Sequence, residues 1–186
     1  MTPDLSDDLF ELNKQEYIKL KDEQTKRIGF RANLLYVNLL LLSGIVSFVF
    51  LSDRVSLSWQ PYGLLLGGWV ALVLGWTYVV NDEKISAIGK YIRSDLAKRL
   101  TNGQEELIFG WEVAHRSDRR RLRRKIEQLV VDEVSFAGIG LIAVVLFWTQ
   151  APHLGIWPIL VSAVEVLLLI VLGVETFLYA DFQRGR

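Results

Sequence analysis

The chain reads as an all-α membrane protein: four transmembrane helices, with a helical cytoplasmic module formed by the N-terminal helix and extensions of helices 2 and 3. Three observations point there. Four apolar stretches recur, each near the roughly 20 residues a helix needs to cross a hydrocarbon core of about 30 Å. Of the 186 residues 51% are apolar, and mean hydropathy is positive at +0.28. The basic residues are sided: residues 1–31 hold six Lys and Arg, 81–131 hold twelve and the tail after 180 holds two, against one in 53–60 and none in 150–157. Cytoplasmic loops carry such an excess, so the pattern places both termini in the cytoplasm.

Residues 1–31 predict a cytoplasmic helix. Ser6, Asp7 and Asp8 supply a cap and a negative first turn. Leu5, Leu9, Leu12 and Leu20 recur at helical spacing, and Lys19–Glu23, Asp22–Lys26 and Glu23–Arg27 are surface charge pairs four apart. Only Gly29 interrupts the helix formers before Phe30, so the helix either enters the first span directly or bends onto the membrane surface. The first span is 32–52. Asp53 and Arg54 begin a short outside turn, and 61–80 is the second span, with Pro61 in its first turn and Trp59 and Tyr62 at the interface.

Residues 81–129 form a helical loop rather than a linker. Ile85, Ile88, Ile92, Leu96 and Leu100 make an apolar stripe at spacings of three and four, which carries the second helix to about Leu100. Thr101-Asn102-Gly103 is a stop signal. The segment 105–113 fits a helical turn, a short strand or a lipid-resting piece. Ser117 or Asp118 can cap a further helix whose stripe is Leu122, Ile126 and Leu129. The N-terminal helix and the two extensions are expected to bury their apolar sides together. The third span is 130–148, a turn with Pro152 and His153 follows, 157–179 is the fourth span beginning at Pro158, and 180–186 is a cytoplasmic tail.

The absence of cysteine excludes disulfides, thiolate metal sites and a Cys nucleophile. A polar first 27 residues argues against a cleaved signal peptide, and there is no N-glycosylation site. A bacterial inner membrane fits these features best.

The most regular local pattern is Gly63, Gly67, Ala71 and Gly75 at intervals of four. Small residues so placed let helix backbones approach closely, either within one protomer or across a homo-oligomer interface. Glu165, flanked by Val164 and Val166 in the fourth span, is the costliest residue to bury. No Lys or Arg lies in any span core, so it is expected as a neutral acid or beside water, with Asn38, Ser43, Thr77 and His153 as neutral candidate partners. Glu165, Glu175 and Asn38 are either interhelical hydrogen-bonding groups or an intramembrane polar ion pathway. Asp132 and Glu133 either complement the helix start and nearby arginines or ring a cytoplasmic pore mouth. Arg119, Arg120, Arg121, Arg123, Arg124 and Lys125 fix topology and hold anionic lipid headgroups, or else bind a phosphorylated ligand or an acidic protein.

Two patterns fail on context. The run from Gly138 through Gly140 to Ala143 resembles a dinucleotide fingerprint by letter but lies in an apolar span with no preceding strand. His115 and His153 fall on opposite sides of the membrane. No catalytic constellation, metal-ligand spacing or cofactor motif stands out, and zero net charge argues against nucleic acid. The function expected is a homo-oligomeric channel, pore or membrane-effector protein controlled through its cytoplasmic helices. The alternatives are an accessory subunit recruiting a soluble cytoplasmic partner and a phospholipid-active enzyme using Asp132, Glu133 and the basic cluster Arg116 to Arg124.

Overall fold

A computed structural model describes residues 5–51, 60–101, 120–150 and 155–180. All its elements are helical: α1 (Leu5–Leu51), α2 (Gln60–Tyr91), a π-helical turn (Ile92–Leu96), α3 (Ala97–Thr101), α4 (Arg121–Glu133), a second π-helical turn (Val134–Gly138), α5 (Ile139–Gln150) and α6 (Ile156–Tyr179). Four stretches of this helix are long and apolar enough to cross a membrane: Asp8–Phe48, Pro61–Leu100, Leu122–Gln150 and Ile156–Tyr179. The question left open at Gly29 is answered by α1, which is helical throughout. The outside turns, the stop at Gly103, the segment 105–113, His115, the caps at Ser117 and Asp118, Arg119 and the tail after 180 lie outside the described residues.

The chain divides into two units. The first, an apolar bundle, comprises Ala32–Val80 and Arg124–Asp181. Its interior holds two clusters. Ile45 of α1, Leu64 and Leu65 of α2, and Ala143 and Phe147 of α5 form one. Leu34 of α1, Leu72 and Tyr78 of α2, Phe136 of the π turn and Leu169 and Leu172 of α6 form the other. Outward, the bundle presents apolar side chains: Leu40, Leu66, Val73, Val145, Leu167 and Ile170 are all exposed. Asn38, Asp132, Ser162 and Glu165 are buried instead. Water would expel such a surface and solvate such an interior. A bilayer accepts the apolar surface, because lipid tails are as apolar as leucine. With its four long apolar helices, this is a multi-pass membrane protein.

The second unit, a polar module, draws on Met1–Arg31 and Asn81–Arg123. Here α1 and α2 run antiparallel, joined by hydrogen bonds whose residue numbers rise on one helix as they fall on the other. The Tyr91 hydroxyl donates to Glu16 at 2.8 Å, Gln24 Nε2 donates to the Ile85 carbonyl at 3.2 Å, and Asn81 Nδ2 donates to the Arg27 carbonyl at 2.8 Å. Arg31 and Asp82 add an ion pair at the Asn81 end. Gly89 makes room for this: a β-carbon there would stand 3.2 Å from Gln24 Nε2. The stripe anticipated from Ile85 to Leu100 does turn inward, with Ile92, Leu96 and Ala97 buried against Tyr17 and Leu20. Leu9, Leu12, Leu122 and Ile126 are exposed, contrary to the expected joint core. The face of α1 that turns inward carries Glu16, Tyr17, Leu20, Gln24 and Arg27, whose partners lie on α2, the first π turn and α3.

Candidate functional site

The inward edge of α6 is Pro158, Ser162, Glu165, Leu169 and Leu172, spaced alternately four and three. That spacing keeps one face of a helix against its neighbours. It turns Glu165 into the bundle rather than toward lipid, while Val164 is exposed. Glu165 is 0% exposed, and neither carboxylate oxygen has a hydrogen-bond partner. Gly68 accommodates it, while Gly140 accommodates Leu169. A β-carbon on Gly68 of α2 would overlap Glu165 Oε1 and stand 3.0 Å from its Cδ and 3.3 Å from the Gly140 carbonyl oxygen of α5. A β-carbon on Gly140 would stand 2.6 Å from Leu169 Cδ2. The carboxyl group and the Gly140 carbonyl therefore crowd the same face of Gly68.

Ser162, one turn before Glu165, is buried with an unpartnered Oγ. Other hydroxyls in these helices behave differently. Thr25, Ser43, Thr77, Ser94 and Thr176 each donate to the carbonyl four residues earlier, at 2.8–3.0 Å. That bond is the usual refuge of a helical hydroxyl in apolar surroundings, and Ser162 does not take it.

Asn38 of α1 is 0% exposed. Its amide nitrogen donates to the Ser135 carbonyl, inside the second π turn. A π turn shifts the backbone ladder to i→i+5 and frees a carbonyl that a neighbouring side chain can satisfy. The Asn38 Oδ1 remains buried without a partner. The neutral partners considered for Glu165 are thus engaged elsewhere: Asn38 through its nitrogen at Ser135, Ser43 at Leu39 and Thr77 at Val73. His153 lies outside the described residues.

Asp132 is buried and accepts a 2.7 Å hydrogen bond from the Tyr78 hydroxyl. Tyr78 in turn packs on Phe136, ring centres 4.9 Å apart. Because α4 begins at Arg121, Asp132 lies well past the first turn, where the helix dipole no longer acts. The Glu133 carboxylate lies against Gly173, where a β-carbon would be 3.0 Å from Oε2. Glu175 is half-buried. In the basic run Arg120, Arg123 and Arg124 are exposed and Lys125 is half-buried, and the side chain of Arg121 is not among the described ones.

The glycine ladder faces partners within the same chain. A β-carbon at Gly63 would meet the Phe48 ring at 3.4 Å, one at Gly67 would meet Ile45 Cδ1 at 3.1 Å, and one at Gly75 would meet Leu172 Cδ2 at 2.5 Å. Ala71 is fully buried. Sequence reasoning had no reason to single out Gly68, which stands beside the regular ladder, or the backbone carbonyls of Ser135 and Gly140. Ser162 carried a weak signal, three residues before an intramembrane acid.

Comparison with known protein families gives no match, and neither curated proteins nor solved structures yield a significant similarity. Among the described residues no group of three or more His, Asp or Glu is placed to hold a metal ion.

Proposed function

We propose that this is an ion-conducting membrane protein of channel or pore type, with Glu165 on its polar pathway. The observation that carries this reading is a fully buried carboxyl group with no hydrogen bond, seated against Gly68 of α2. A membrane protein that needed only packing there would do better with leucine, since intramembrane acids are costly and are kept where ions or protons move. The sided arginines and lysines support insertion in an inner membrane with both termini cytoplasmic and the basic run on anionic headgroups. Assembly as a homo-oligomer and control through the polar module complete the proposal. Its test is flux of protons and alkali cations into liposomes holding the purified protein. Wild type should conduct and Glu165→Gln should not; equal flux in both, or none in wild type, removes the reading.

A second reading is an accessory subunit that recruits a soluble partner. It is favoured by Leu9, Leu12 and Ile18, three apolar side chains exposed on the polar module's own stretch of α1. Leu12→Glu should then abolish co-purification of a stoichiometric partner while leaving the bundle folded.

A further inference from the structure

We propose that the pocket around Glu165 binds one small monovalent cation, held without its hydration shell; this rests on the conducting role above and names its ion. The donors are all hard oxygens. Both carboxylate oxygens of Glu165 and the Ser162 Oγ are buried and unpartnered, one turn apart on the same edge of α6. The Gly140 carbonyl oxygen borders the same face of Gly68 as the carboxyl group. Carboxylate, hydroxyl and carbonyl oxygens suit a proton or a hard metal ion and not a soft one.

Charge sets the valence. Gly68 and Gly140, the neighbours from α2 and α5, bring no charge. Of the other carboxylates in the bundle, Asp132 accepts from Tyr78, Glu133 lies beside Gly173 farther along α6, and Glu175 lies farther along still. One positive charge therefore neutralises the pocket, whereas a divalent ion would leave an uncompensated charge in an apolar interior. Space sets the size. The Gly68 face cannot take even a β-carbon without meeting Glu165, so a cation with its water shell does not fit. A proton on the carboxyl group needs no added space, and a larger ion would have to lie bare against these oxygens.

The test is labelling of the full-length protein, in liposomes, with dicyclohexylcarbodiimide, which attacks protonated carboxyl groups in apolar surroundings. Peptide mass spectrometry should find the adduct on Glu165, with loss of that adduct in Glu165→Gln. Blockade by sodium and not by potassium or calcium identifies sodium as the occupant, and Ser162→Ala, which keeps the acid, should then lose the blockade. Labelling indifferent to sodium but falling as pH rises identifies the proton. An adduct on Glu133 or Glu175 with none on Glu165 overturns the site, as does blockade by potassium or calcium equal to that by sodium. A labelled Glu165 in a protein that passes no ions keeps the site and removes the conducting role.

Discussion

The polar module and the apolar bundle use the same helix, α1, in opposite ways. In the module, α1 turns hydrogen-bonding side chains inward and each finds a partner on α2, as Glu16 does with Tyr91 and Gln24 with Ile85. In the bundle it turns Leu34 and Ile45 inward and leaves Tyr36 and Leu40 outward, with Asn38 buried between. What differs is the solvent. Water competes for polar groups, so the module can leave charges outside and needs only a small apolar cluster. Lipid does not compete, so each buried polar atom in the bundle stands out as a choice.

The comparison is tested most strongly by deletion in the two interiors. Leu96→Ala, in the module's fully buried cluster, should cost about 2–5 kcal/mol. Leu40→Ala, at 71% exposure, should stay within about 0.5 kcal/mol. Hydrogen exchange read on each helix separates the two. Next comes a charge placed on the two outer faces. Leu40→Arg should oppose insertion by about 2.5–3.5 kcal/mol, while Leu12→Arg, at 60% exposure on the module, should insert as wild type. A glycosylation-tagged insertion assay measures both, and equal penalties would erase the distinction between the surfaces.

A smaller effect is expected at Gly29, where a β-carbon meets nothing within 4 Å. Gly29→Ala should stabilise α1 by about 0.5–1 kcal/mol in thermal unfolding. Gly68→Ala should do the reverse, because its β-carbon overlaps Glu165. The mildest test is pH. The hydrogen bond to Glu16, and secondarily partial burial, hold the Tyr91 hydroxyl above the ordinary phenol value. Its contribution is complete below the unfolded phenol's pKa and disappears as pH rises through the folded one. Alkaline melting of the module should therefore show a step that Tyr91→Phe removes.

Much of the fold was legible in the residues, for reasons the comparison makes plain. The spans show as long apolar runs because lipid demands them. The extension of α2 showed in the stripe from Ile85 to Leu100, since one partly wetted helix face has to alternate. The inward edge of α1 was hidden because Glu16, Gln24 and Arg27 resemble surface residues until their partners on α2 are known. The π turns were hidden too: one added residue barely disturbs a stretch as uniformly apolar as 134–148. Glu165 announced itself as an anomaly, but its glycine seat was set by which residue of α2 happens to reach it.

The wide turn at Val134–Gly138 has a rotational consequence. The extra residue absorbed in the turn sets everything after it back by about 100° around the helix axis, relative to an unbroken α-helix. Gly140 thus occupies the azimuth that Ile139 would hold on an unbroken α-helix, and Ile139 has a branched side chain where Leu169 packs on bare glycine. The Asn38 amide donates to the Ser135 carbonyl within that turn, and the expected outcome of Asn38→Leu is that α5 rotates forward by one position.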